Sequence, residues 1–443
     1  MKKYLFFLVL IPLFIQSCLQ REYKNDRQHG PLKVEIKQMG DRFQLLVDGE
    51  LYFVKGARTL GTRYMDKVAE YGGNSVRIGY DGNVKEVLDE AQRLNLTVLF
   101  GLPVQAERNG FDYGDKMAVE AQYSQMKEIV TNYKDHPALL MWAIGNELDH
   151  IPGDKDYNLN MWNAVNDIAI MIHDVDGNHP AMAVVGRGKN DKMKDIVERC
   201  IDVDLLGINA YADIWEVPGW LKENQWNKPF AVTEWGPSGH WQVPSTKWGA
   251  VIEETSTEKA GVYKQRYEQV IKADPWCVGS YVFLWTSNRQ ERTHTWYNMF
   301  HDDGSEKGAV EVMYYEWTGA WPKNTTPRID SLQIDKLNAR DNINVAAETV
   351  HYARVFVSDP DGDELNIEWE LVPENKNFGA YAGQGEIKPT PIGGAIIEMK
   401  ENGKLVQFKA PAEKGINFRM FVYAHDGNNN VAVGNIPFHI REE

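Results

Sequence analysis

Between Leu51 and Gly319 the chain alternates short apolar or β-branched runs with longer stretches whose apolar residues recur every three or four positions. The runs are Tyr52–Ala57, Ser75–Ile78, Thr97–Leu102, Leu140–Gly145, Ala181–Val185, Leu205–Asn209, Phe230–Glu234 and Val278–Trp285. Each has the length and composition of a buried strand, and stretches between them such as Val84–Asn95, Val119–Tyr133, Met161–Val175 and Lys259–Ala273 carry helical spacing. Eight strand–helix repeats over about 270 residues predict an α/β fold, the (β/α)8 TIM barrel. An open doubly wound sheet is disfavoured because no G-x-G-x-x-G follows the first run.

Near Pro322–Pro327 the pattern changes to short alternating segments, Val350–Val357, Leu365–Leu371, Val406–Ala410, Phe418–Tyr423 and Asn435–Ile440, divided by Gly, Asn and Asp clusters. That spacing predicts a C-terminal Ig-like β-sandwich. The expected organisation is a signal peptide over residues 1–17 and an N-terminal arm over 18–50. The barrel follows over 51–321, then a linker over 322–329 and the sandwich over 330–443. Within the arm, Val34–Val47 reads as a short hairpin capping the barrel floor.

The first residues add a destination. Lys2 and Lys3 precede an apolar run from Tyr4 to Ile15, the pattern of an export signal and too short for a spanning helix. Ile15-Gln16-Ser17-Cys18 resembles a bacterial lipobox, which implies that Cys18 is lipidated and holds the exported chain to the outer membrane, on its periplasmic face or at the cell surface. Cys200 and Cys277 lie in no metal-binding spacing and read as small buried hydrophobes.

Composition then narrows the chemistry. The formal net charge of −15 repels nucleic acid and anionic lipid surfaces, leaving the lipid as the expected membrane contact. Of the 14 tryptophans, all but Trp369 fall between Trp142 and Trp321, in the barrel's second half. Aromatic rings pack against the apolar faces of sugar rings, so part of this set is a candidate platform for a poly- or oligosaccharide, the rest anchoring loops to the barrel. Nothing in the spacing calls for a metal or cofactor: H-E-x-x-H, Walker and G-x-S-x-G motifs are absent. Asp359-Pro-Asp361-Gly-Asp363 resembles the start of a calcium loop, but Glu364 stands where that loop needs glycine, so it reads as a plain turn.

In a (β/α)8 barrel, the C-terminal strand ends meet in one cup. The fourth run ends in Gly145-Asn146-Glu147 and the seventh in Thr233-Glu234-Trp235-Gly236, which aims two glutamates at a single cavity. Glycoside hydrolysis uses such a pair, one carboxyl as acid and the other as nucleophile or base. These motifs resemble those of the clan A glycoside hydrolases, retaining (β/α)8 enzymes. The resemblance implies Glu147 as acid/base, Glu234 as nucleophile and Asn146 on the sugar 2-hydroxyl. It further implies Arg77 and Tyr211 as partners of the nucleophile, with Trp285 as the aromatic floor.

Several clan families carry a His two residues before that Tyr; here it is Asn209, which favours a family 2-like or more distant member over a typical family 5 enzyme. The order of one barrel and one Ig-like domain is similar to glycoside hydrolase family 158 and implies an endo-β-1,3-glucanase. Exo-acting β-glucosidase, β-galactosidase or β-mannosidase activity is the alternative, and a non-catalytic glycan-binding lipoprotein the reading from another class. Trp235, His240, Trp241 and His294, in or beside the loops after strands seven and eight, complete the expected substrate-binding set.

Overall fold

A computed structural model describes residues 30–442 apart from 81, 151–156, 188–189 and 376–385. Cys18 and the signal peptide expected over 1–17 lie outside the described residues. Strands β1 (Val34–Met39), β2 (Arg42–Val47) and β3 (Glu50–Tyr52) form a small antiparallel sheet. The Val34 N–H donates to the Asn178 carbonyl and the Phe43 N–H to that of Pro275, both just ahead of barrel strands, so this sheet closes the barrel's N-terminal end. Leu45, Val47 and Tyr52 enter one core with Leu99, Met141, Met182 and Tyr281.

The barrel strands are β4 (Val54–Thr59), β5 (Ser75–Ile78), β6 (Thr97–Leu102), β7 (Leu139–Ile144), β8 (Ala181–Gly186), β9 (Leu205–Asn209), β10 (Phe230–Trp235) and β11 (Cys277–Trp285). They close in the order β4 to β11, every adjacent pair parallel. Around them lie α1 (Met65–Glu70), α2 (Val84–Arg93), α3 (Lys116–Tyr133), α4 (Asn160–Val175), α5 (Asn190–Arg199), α6 (Val217–Glu223), α7 (Ser256–Arg266) and α8 (Gly308–Thr318). Alternate strand residues divide between two cores, since side chains on a strand point to opposite faces. Leu99, Met141, Ala143, Met182, Val184 and Ala231 fill the barrel interior, while Val98, Phe100, Trp142, Ile144, Ala183 and Val232 pack under the helices.

Alternation breaks at two places near the C-terminal rim of the barrel. The β9–β10 register slips between Val232 and Glu234, and the β11–β4 register slips between Val282 and Trp285. A bulge of this kind re-aims every side chain beyond it.

The sandwich holds β12 (Arg328–Ile334), β13 (Asn344–Val345), β14 (Val350–Ser358), β15 (Asn366–Pro373), β16 (Ile396–Lys400), β17 (Leu405–Lys409), β18 (Asn417–His425) and β19 (Val431–Ile440). They pair as β12-β14-β17-β16 and β13-β19-β18-β15. Ile329 begins the alternating buried face of β12, so the last two residues expected in the linker belong to the sandwich. In the Asp359–Asp363 turn, Asp359 Oδ1 accepts the N–H groups of Asp361 and Asp363, as in an ordinary Asx turn. Cys200 and Cys277 are both buried and unbridged. Among the described residues no helix is long and apolar enough to cross a membrane.

Candidate active site

Glu234 is reached through the β10 bulge. Alternation from Ala231 and Thr233 would send Trp235 inward and Glu234 outward; the slipped register reverses both. Glu234 opens on the cup, and one Arg77 nitrogen donates to its Oε1 at 2.8 Å and to the Thr233 carbonyl at 2.9 Å. Tyr211 Oη donates to its other oxygen at 3.4 Å. Burial and the charge of Glu234 raise the Tyr211 phenol far above its ordinary range, so it remains a donor.

Glu147 stands three residues beyond β7 on a sharp turn with φ of 68° at Gly145 and 48° at Glu147 itself. A left-handed conformation is unfavourable for a side chain such as glutamate and persists only when its surroundings fix it. The Glu147 N–H donates to the Val184 carbonyl at 2.9 Å, and the Arg108 guanidinium clamps the carbonyls of Asn146 and Glu147. Gly186, at the end of β8, leaves the space the carboxyl occupies: a Cβ there would stand 3.1 Å from Glu147 Oε1.

The two carboxylates are joined by a chain of hydrogen bonds. The second Arg77 nitrogen donates to Asn146 Oδ1 at 2.6 Å, and Asn209 Nδ2 donates to the same oxygen at 3.1 Å and to Glu147 Oε1 at 3.0 Å. Thr233 Oγ1 donates to Asn209 Oδ1 at 2.8 Å, which fixes the orientation of that amide. Both bonds to Asn146 end on its carbonyl oxygen, leaving its N–H groups for a ligand. Surrounding protein and the nearby negative charge of Glu234 push the Glu147 carboxyl up to about 7, against a smaller opposing effect of the Asn209 hydrogen bond.

Arg77, Asn146, Asn209, Tyr211, Glu147 and Glu234 therefore converge. Three other expected residues do not. Trp235 is fully buried on the helix side, tilted against Tyr263 and Tyr267 with ring centroids 5.5 and 5.9 Å away. Trp285 turns the same way at its own bulge, donating from Nε1 to the Tyr64 carbonyl at 2.9 Å and packing on Phe300 and Trp317. Phe283, two residues earlier, packs edge-on to Tyr211 and Tyr297. His294 is also removed from the cup; its Nε2 lies 2.7 Å from the Tyr423 hydroxyl, in the contact with the sandwich.

His240 and Trp241 stand at the rim. His240 Nδ1 accepts from Arg292 Nε at 3.3 Å, and burial with that cation holds its imidazole down at about 4, hence neutral. Trp241 is 58% exposed and meets Tyr211 edge-on at 5.6 Å. Trp215, in the connection after β9, is 43% exposed, whereas Trp220, Trp226 and Trp296 are buried anchors. Arg108 and Gly186 belong to the site without having been expected from the sequence. The first lies in a single 3-10 turn over Glu107–Asn109 with no strand-end signal, but the glycine just past the fifth strand run is a visible cue.

Neither a protein-family profile nor a curated protein sequence matches the chain. Its fold is shared with solved structures. A β-glucuronidase 2 from Bacteroides uniformis, covalently bound to cyclophellitol-6-carboxylate aziridine, aligns with a TM-score of 0.50 at 14% identity. The alignment covers 92% of this chain and 48% of that one. An FMN-binding β-glucuronidase from Facaelibacterium prausnitzii L2-6 aligns with a TM-score of 0.50 at 13% identity, over 93% of this chain and 59% of that one. The chain thus spans about half the length of the solved chains it resembles, and the likeness is one of fold.

Proposed function

We propose that the chain is a retaining β-glycoside hydrolase in which Glu234 is the nucleophile and Glu147 the acid/base. The contrast between the two carboxylates carries this reading. Glu234 lies against the Arg77 guanidinium, while Glu147 is held by a neutral amide and is pushed up to about 7. A protonated acid facing an ion-paired nucleophile is the division of labour that double displacement requires. Glu147 gives its proton to the departing glycosidic oxygen as Glu234 bonds to the anomeric carbon. The resulting carboxylate of Glu147 then takes a proton from water, which displaces Glu234. Asn146 N–H groups are available to the sugar 2-hydroxyl, and no metal or cofactor enters these steps.

For the substrate we infer a β-glucan cut internally at β-1,3 linkages. The exposed Trp241 and Trp215, in the connections after β10 and β9, support an extended chain of sugars. The test is a panel of β-1,3-glucan, mixed-linkage glucan, mannan and aryl β-glucoside, β-galactoside, β-mannoside and β-glucuronide, with product lengths measured. Oligosaccharide ladders from β-1,3-glucan are expected, falling at least ~10⁴-fold in Glu234→Gln. Release of monosaccharide alone overturns the endo reading in favour of exo action. Binding without any Glu234-dependent hydrolysis overturns the enzyme reading and leaves a glycan-binding protein.

A further inference from the structure

The connection after β11 brings His301 and Asp303 to the edge of the sandwich, where β18 ends in His425. One ligand-capable atom from each of the three lies within 4.8 Å of the others. Asp303 Oδ2 and His425 Nδ1 are 3.7 Å apart, too far for a hydrogen bond and wide enough for an ion. Nδ1 of His301 is buried with no hydrogen-bond partner, a cost a protein rarely leaves unmet.

The scaffold is well fixed. The His301 N–H donates to the Ser305 carbonyl, and Ser305 N–H donates to Asp303 Oδ1 at 2.8 Å, leaving Oδ2 on the His425 side. Glu306 then bridges to the β18–β19 hairpin, its N–H donating to the Asn429 carbonyl and its carbonyl accepting from Val431. The His301 ring is held 4.6 Å from Tyr423 and 5.5 Å from His425.

We propose that His301, Asp303 and His425 form a binding site for a borderline first-row divalent ion such as zinc, which ties the barrel to the sandwich. Two imidazoles and one carboxylate suit zinc and disfavour calcium, which takes oxygen ligands in larger number. Ligands of a tetrahedral zinc lie ~3.3 Å apart, so small side-chain rotations from the present spacing close the site around an ion, with water as fourth ligand. The all-oxygen group of Asp359, Asp363 and Asp426 also holds a buried atom without a partner, Asp359 Oδ2, but it offers no nitrogen ligand and its other members are engaged: Asp426 accepts from Asn324, Asn428 and Asn430, and Asp363 from Asn428.

The test is calorimetric titration of chelator-treated protein with zinc chloride, with cobalt(II) absorption as a second readout. One ion per chain is expected, a rise in Tm with zinc, and a visible ligand-field band with cobalt(II). Removing a residue that merely hydrogen-bonds a metal ligand already weakens metal sites ~10–100-fold, so His301→Gln and His425→Gln are each expected to weaken zinc at least ~100-fold and to abolish the cobalt band. Asp363→Asn should bind as the parent does. Matching circular dichroism of the ion-free forms establishes folding; should one His variant fail to fold, the other decides. Absence of saturable uptake in the parent, undiminished uptake in the folded His variants, or loss in Asp363→Asn overturns the proposal.

Discussion

A glutamate that must donate a proton near neutrality has to be kept protonated there, and the surroundings of Glu147 do this by enclosure and by facing it toward a second carboxylate. Because its carboxyl is pushed up to about 7, the acid form predominates below that pH and is lost as pH rises through it. The kcat/KM profile of the proposed hydrolysis is therefore expected to show an alkaline limb near pH 7, reporting the free protein. Glu147→Gln should remove that limb and lower the rate ~10²–10⁴-fold for substrates with poor leaving groups, much less for activated aryl glycosides. An unchanged limb in the variant would assign it to another group. Glu147 and Glu234 were legible in the sequence because carboxylates coincided with strand ends, where a barrel presents its site, whereas Arg77 and Tyr211 entered only through the resemblance to clan A hydrolases. Arg108 was not, since its role is to hold two carbonyls in a left-handed turn, and no local pattern announces which loop cation reaches a distant backbone.

At the scale of elements, the eight strand runs and the helical spacing between them were readable because burial imposes periods of about 2 and 3.6 on the chain. What periodicity could not show was where a strand breaks its own alternation. The bulges in β10 and β11 turn Trp235 and Trp285 away from the cup, and a bulge leaves no compositional mark in runs as apolar as these. The two kinds of tryptophan separate by experiment. Trp235→Ala empties a packed site under the helices and should destabilise by about 3–5 kcal/mol while leaving KM near the parent value. Trp241→Ala removes an exposed ring and should leave Tm unchanged, raising KM for oligosaccharides ~5–10-fold, about 1 kcal/mol of stacking. A raised KM in Trp235→Ala at full folding would return that ring to the substrate.

For the whole molecule, the division into barrel and sandwich was visible as a change of period near Pro322, but the joint between them was not. Its residues are charged, and no apolar period marks them as buried. Glu253, just ahead of α7, accepts from Lys259 Nζ at 2.5 Å, Thr293 Oγ1 at 2.6 Å, Thr295 Oγ1 at 2.8 Å and Asn435 Nδ2 of β19 at 2.7 Å. Arg419 of β18 donates to Asn435 and to the Val251 carbonyl and pairs with Glu374. Burial alone would raise the Glu253 carboxyl, but Lys259, the threonine hydroxyl of Thr293 and Arg419 outweigh it and hold it down at about 2. A folded-state value below the unfolded one of about 4.5 means that the contribution is complete above pH 4.5 and is lost as pH falls toward 2. Glu253→Gln leaves Lys259 buried without its counter-charge, which should cost about 3–5 kcal/mol at neutral pH. The parent should lose that advantage on acidification, so the Tm values of parent and variant are expected to converge between pH 4.5 and 2. A single calorimetric transition is expected for the parent, because the network makes barrel and sandwich share one buried polar core. Parallel Tm curves across that interval would show that the carboxylate of Glu253 does not lock the two together.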